Sequence, residues 1–180
     1  MSEASEKVRN TERSECFFAA LYDRAVEDAV DGAQFLEIGV GSGVSTCYLA
    51  RKIADSKKLI RLDVLERWGA GEYEKFIFNT LSVAHLINHV NCRSNLQVHA
   101  DFYDDRSLDF VMLGGGGDYA TVFTDIMIWK SKVKPGGVLA GADFNMPGVC
   151  RAVYDSFVKK QVVRSAPTGG RVYRYWSVRL

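Results

Sequence analysis

The stretch Phe35-Leu-Glu-Ile-Gly-Val-Gly-Ser-Gly-Val-Ser-Thr46 joins a short apolar run to three glycines at every second position, then to a segment that begins a helix. Glycines in a strand-to-helix turn let the backbone approach a ligand closely. The spacing is GxGxG, through Gly39, Gly41 and Gly43. A dinucleotide fingerprint, GxGxxG, would put its third glycine where Val44 stands, which counts against a dehydrogenase. Glu37, two residues before the first glycine, points the same way. A carboxylate there accepts bonds from an ammonium group or from backbone amides, whereas a diphosphate would be repelled.

Outward from this turn, strand and helix patterns alternate. A helix is expected from about Ser14 to Val30, with Phe17, Phe18, Leu21, Ala25, Val26 and Ala29 at helical spacing. "AQFLEIG" reads as the first strand, "VSTCYLARKIA" as a helix and "KLIRLDV" as the second strand. A helix follows over roughly Glu72 to His89, then "NLQVHA" and "LDFVML" as strands three and four. "YATVFTDIMIWKSKV" is a helix, "PGGVLAGAD" holds strand five and "VCRAVYDSFVKK" is a helix. "QVVRSAP" and "RVYRYWSVRL" close the chain around "TGG". Such alternation means parallel strands with helical crossovers, in a three-layer α/β domain. The last two strands are close enough in sequence to pair antiparallel. Ligands of such sheets sit at the carboxyl ends of the strands.

Composition sets the frame. A chain of 180 residues suffices for one domain with a sizeable core, expected over 14–180 after a polar, disordered leader at 1–13. No apolar run approaches the roughly 18 residues that span a bilayer. Cys16, Cys47, Cys92 and Cys150 are scattered without a CxxC pair, as in a reduced cytoplasmic protein. No acid follows Asp155, whereas Lys159, Lys160, Arg164, Arg171, Arg174 and Arg179 do. A basic edge of this kind suits nucleic acid, but charge guarding an edge hairpin is the more economical reading. His85 and His89 lie four apart on an expected helix, a spacing that can chelate zinc, yet no third ligand accompanies them.

"FLEIGVGSG" resembles motif I of the class I S-adenosylmethionine-dependent methyltransferases. The resemblance implies a Rossmann-like sheet of seven strands in the family order, with an antiparallel last strand and S-adenosylmethionine as cofactor. Glu37, Gly39, Gly41, Gly43 and Ser45 would then surround the amino-acid end of the cofactor. Asp63 in "LIRLDV" would hold the ribose, and Asp101 with Phe102 in "VHADF" would lie beside the adenine. "VKPGGVLAGADF" matches the family's segment through strand five.

Within the family the chain is most similar to the small single-domain branch of macrocin-type and other metal-assisted O-methyltransferases. The similarity lies in "RWGAGEYEKF", "DFVML....DY" and "GGVLAGADFNMPGVCRAVYDSFV". Relatives place an acid after strand four and paired ligands after strand five, and these hold a divalent metal. Here the first position is Gly114, the histidine-like one is Gly117, and the pair is Ala142-Asp143. Asp143, Asn145 and Asp118 remain as oxygen donors, too few for a good magnesium site, so no metal is expected.

Three readings of "GGGG" at 114–117 stay open: methyl transfer without metal, cofactor binding without catalysis, and a nest of amides that binds an anionic group. The first is favoured, with Asp143 as general base; the alternative for Asp143 is a cap on the helix near Pro147. Gly114, Tyr119 and Trp68 are candidate substrate neighbours. The acceptor is expected to be a small molecule, and a partner subunit in a homodimer could close the pocket. An inactive cofactor-binding protein and an RNA methyltransferase using the basic edge are the competing readings.

Overall fold

The computed structural model describes residues 16–91, 96–165 and 175–180. Helix α1 spans Ala19–Asp28, followed by strand β1 (Ala33–Ile38), α2 (Val44–Ser56), β2 (Ile60–Glu66) and α3 (Glu72–Thr80). A 3-10 turn over Leu81–Leu86 leads into β3 (Ile87–Asn91). The short α4 (Leu96–Ala100), β4 (Leu108–Leu113), α5 (Tyr119–Lys130), β5 (Val133–Gly141) and α6 (Pro147–Ser156) come next. β6 (Val163–Arg164) and β7 (Trp176–Arg179) end the chain.

One seven-stranded sheet has the order β3-β2-β1-β4-β5-β7-β6. β1 pairs in parallel with β2 and β4, and β7 pairs antiparallel with β5 and β6. This is the expected Rossmann-like, three-layer α/β architecture with an antiparallel last strand. The two-residue period of each strand feeds two separate cores. Phe35, Phe110 and Met112 face α1, α2 and α3, together with Tyr22, Leu49 and Phe76. Leu36, Ile38, Val111 and Leu113 face the opposite side, with Ile126, Trp129, Val153 and Trp176.

Strand three is not where the sequence reading puts it. The helix expected through His89 stops at Thr80, whose hydroxyl donates to the Phe76 carbonyl at 2.7 Å. The chain then extends as β3, in register Leu62↔Ile87 and Asp63↔Asn88 against the edge of β2. Most of "NLQVHA" forms α4 instead, with Ala100 buried in the core that holds Leu108 and Trp129. Apolar spacing over 72–89 fits a helix as well as a helix and a strand in succession, and pairing along β2 decides between them. His85 and His89 therefore share no helical face. The expected leader at 1–13 and the "TGG" turn lie outside the described residues. Cys16, Cys47 and Cys150 are free thiols, and no described helix is long and apolar enough to cross a membrane.

Candidate functional site

The turn after β1 is fixed from several sides. Glu37 is 2% exposed, and both its carboxylate oxygens are engaged. Oε1 accepts from the Tyr22 hydroxyl at 2.6 Å and the Ser45 hydroxyl at 2.7 Å, and Oε2 accepts from the Thr46 hydroxyl at 2.7 Å. Burial pushes the Glu37 carboxyl up from its ordinary value, against three donors that pull it down. Glu37 and Ser45 thus bind each other and tie α1 and α2 to the loop. Further along, the Gly41 amide donates to Glu66 Oε2 at 2.8 Å, Trp68 Nε1 donates to the Gly41 carbonyl at 3.0 Å, and Asn79 Nδ2 donates to the Ser42 carbonyl at 2.9 Å. Trp68 is buried on Tyr73 and Phe76 and braces the loop.

Two glycines of the loop are required by close approach. A Cβ on Gly39, whose φ is +75°, would lie 2.5 Å from the Gly115 nitrogen and 2.7 Å from the Gly114 carbonyl carbon. A Cβ on Gly43 would lie 2.7 Å from the Phe76 ring. The contact with Gly114 is reciprocal. A Cβ there would sit 2.6 Å from the Gly39 carbonyl oxygen, and the Gly114 amide donates to the Ile38 carbonyl at 2.6 Å. The bare end of β4 is thus the surface on which the first loop rests. Gly114 spends its amide there, which leaves it out of any anion-binding nest.

Asp63 lies three residues before the end of β2, and Glu66 occupies the end itself. The sequence expectation ends strand two at Val64, whereas the strand runs on through the apolar Leu65 to Glu66. Asp63 is buried, and its Oδ1 accepts from Arg61 Nε at 2.8 Å and Asn88 Nδ2 at 3.1 Å, while Oδ2 accepts from the Tyr103 hydroxyl at 3.0 Å. It lines a cavity of about 460 Å³ with Arg61, Leu65, Asn88, His99, Phe102 and Tyr103. The structure thus brings Asp63 and the 79% exposed Phe102 to one pocket, of a size that suits a small ligand. Asp101 is exposed, and His99 stands on α4 rather than in a strand.

Around β4 and β5 the placements differ. Tyr119 opens α5 as expected, but its hydroxyl donates to Asp155 at 3.1 Å and its ring stacks on Phe123 and lies under Arg151. The side chain is turned to α6, away from the glycine run. Asp118 caps α5 by accepting from the Thr121 amide at 3.0 Å. Asp143 adopts φ +55°, a left-handed conformation that aspartate tolerates better than most residues. α6 has Met146 at its N-cap and no side-chain cap, so Asp143 does not perform that role. The Asp143 carboxylate makes no hydrogen bond among the described residues and stands at the carboxyl end of β5. No group of three metal-binding side chains occurs among them either.

A second cavity of about 340 Å³ lies between α1 and the amino ends of β1 and β4. Most of its charges are already paired, Lys134 with Asp109 at 2.8 Å and Arg179 with Asp28 at 2.6 Å. It lies at the wrong end of the sheet for a ligand of an α/β fold. The same pairing takes Arg179 out of the basic edge, and Lys159 sits over the Tyr154 ring.

A mostly parallel sheet with a glycine turn after β1, a carboxylate-lined pocket at β2 and an antiparallel final strand defines a Rossmann-like fold. A family model described as a methyltransferase domain matches residues 36–144, and the chain belongs to that family. Similar solved structures include an O-methyltransferase from Bacillus cereus in complex with SAH, 16% identical, covering 91% of this chain and 79% of that one, with a TM-score of 0.65. TomG, an O-methyltransferase from Streptomyces achromogenes involved in tomaymycin synthesis and crystallised with SAM, is 19% identical over 99% and 90% of the two chains, with a TM-score of 0.64. Precorrin-6y C5,15-methyltransferase from Geobacter metallireducens is 19% identical over 89% and 88%, with a TM-score of 0.61. At these identities the likeness is one of fold. A comparison with curated proteins found no match.

Proposed function

We propose that this protein transfers a methyl group from S-adenosylmethionine to a small-molecule acceptor without a bound metal. The observation that carries the reading is the braced GxGxG turn at the carboxyl end of β1, with a pocket that holds Asp63 and Phe102 on the neighbouring strand β2. Gly41 borders open space, since a Cβ there would meet nothing within 4 Å, and a ligand can approach the backbone at that point. The turn through Gly39, Gly41 and Ser42 would border the amino-acid end of the cofactor, and Asp63 would receive the ribose hydroxyls, with Phe102 as an apolar wall. When bound, the cofactor supplies an electrophilic methyl on a sulfonium.

Asp63 has about four lone-pair sites, three of them in use. A diol that donates twice must therefore displace one donor, and Arg61 is the one to leave. Its side chain is 59% exposed, so its guanidinium can return to water when it leaves. Asp143, at the end of β5 with its carboxylate unengaged, is placed to orient the acceptor and to take its proton. The bland β4 end, with glycine where metal ligands would stand, favours an acceptor nucleophile that needs little activation.

Calorimetric titration with S-adenosylhomocysteine tests the reading, with NAD as control, first in EDTA and then in excess magnesium. Micromolar binding of the homocysteine compound, absent for NAD and unchanged by magnesium, is expected. No binding would overturn the function, and tight magnesium binding to the complex would overturn its metal-free form.

A further inference from the structure

The cavity of about 340 Å³ beside α1 lies at the end of the sheet away from the glycine turn, so neither the cofactor nor the acceptor is its occupant. Its size falls at the lower end of the range for small-molecule sites. Leu21, Ala25, Phe35, Phe110 and Val138 give it an apolar lining. Phe35 and Phe110 are almost fully buried, whereas Val30 and Val163, which also border it, are 68% and 62% exposed. The lining thus runs from the core of the protein out to solvent.

Five charged side chains border the same space: Arg24, Asp28, Asp109, Lys134 and Arg179. Four of them form two pairs. Asp109 Oδ2 accepts from Lys134 Nζ and from the Gln34 amide, each at 2.8 Å. Arg179 Nη2 donates to Asp28 at 2.6 Å, and its Nη1 donates to the Gly136 carbonyl at 2.8 Å. Arg24 is left over. It stands in the middle of α1, is exposed, and pairs with no carboxylate among the described residues. Leu21, Arg24, Ala25 and Asp28 fall at i, i+3, i+4 and i+7, so one stripe of the helix presents both apolar groups and charge to the cavity.

We propose that this cavity is a second ligand site, which takes a free amphipathic carboxylate. The aliphatic or aromatic body lies against Phe35, Phe110 and Val138, and the carboxylate reaches Arg24. A guanidinium presents a planar fork of donors that matches a carboxylate with two parallel bonds. A cationic ligand finds no such partner, because both acids at the rim are already engaged, and it is repelled by Arg24. The inference does not depend on the methyltransferase reading. The two sites nevertheless share α1: Leu21 and Arg24 border the cavity, and Tyr22 donates to Glu37 at the glycine turn.

Octanoate, octylamine and octanol carry one body with three different heads. Calorimetry of the full chain with each, below the concentrations at which micelles form, tests the site. Octanoate should bind with a dissociation constant of about 1 mM or below, and about tenfold or more tightly than octylamine. Arg24→Gln, at an exposed helix position, should weaken octanoate about fivefold to tenfold and leave octanol within about twofold. In parallel, the backbone amide resonances of Ala25, Ala29, Val138 and Ser177 in the wild type should move on addition of octanoate while those of Val149, Ala152 and Val153 on α6 stay, a readout that needs no variant. Absence of octanoate binding, equal affinity for octylamine, wild-type affinity in Arg24→Gln, or resonance changes confined to other parts of the molecule would each overturn the proposal. Retention on phosphatidylglycerol vesicles without binding of free octanoate would also overturn it, and would mark this face as a membrane surface instead.

Discussion

Asp125, a buried residue of α5, makes a prediction independent of any ligand. Its carboxyl titrates at about 6 in the folded protein against 3.8 as its ordinary value. The folded state therefore binds the proton more tightly, and the stability this adds is fully present below about pH 4 and lost as pH rises through 6. The loss amounts to about 3 kcal/mol at most. Asp125→Asn should match the wild type below pH 4 and melt several degrees higher at pH 7 to 8. Parallel pH profiles of Tm for the two proteins would show that the charge is not buried. Gly114 carries a different lesson at this scale. From the sequence alone it is a lost metal ligand. In the fold it is also a packing requirement, since any Cβ there meets the Gly39 and Ile38 carbonyl oxygens within 3 Å. A side chain cannot be restored at that position without moving the first loop.

Helix α1 belongs to the site although it contributes no group that faces the pocket. Tyr22, fully buried, reaches from α1 to Glu37, and Asp23 accepts from the Tyr48 hydroxyl at 2.8 Å and pairs with Lys52 at 3.1 Å on α2. Lys58 Nζ donates to the last carbonyls of α1, those of Val26 and Glu27, as a cation suits a helix C-terminus. Tyr22→Phe keeps the ring and removes one donor to a buried carboxylate, which should cost about 1–3 kcal/mol. The expected result is a lower Tm and S-adenosylhomocysteine affinity reduced severalfold; wild-type values of both would mean that the Tyr22–Glu37 bond does not hold the loop. The helical spacing of α1 was plain in the sequence, but its hydrogen bond to Glu37 spans 15 residues and had no local sign. β3 was hidden for a related reason. Nothing within 81–91 announces the switch from helix to strand, and the pairing of Ile87 to Asn91 with β2 brings it about.

Across the whole molecule, the last strand joins the two ends of the core. β7 enters antiparallel beside β5 and buries Trp176 completely against Gly141, where a Cβ would lie 2.6 Å from the indole nitrogen. Phe157 packs on the same indole. Trp176→Ala should destabilise the protein by about 3–5 kcal/mol, read as a shift of the urea midpoint at constant m-value. A loss under 1 kcal/mol would mean that the packing of β7 on β5 is dispensable. The sequence by itself determined the alternation of strands and helices, the GxGxG turn and its flanking acid. These follow from local periodicity and from the backbone freedom of glycine, which act over a few residues. Only the tertiary structure decided that Glu37 faces inward to hydroxyls, that Glu66 ends β2, that β3 lies at 87–91, and that the glycine run rests on the first loop. Each of these depends on segments far apart in the chain meeting at one place, where burial and hydrogen-bond geometry select among locally equivalent choices.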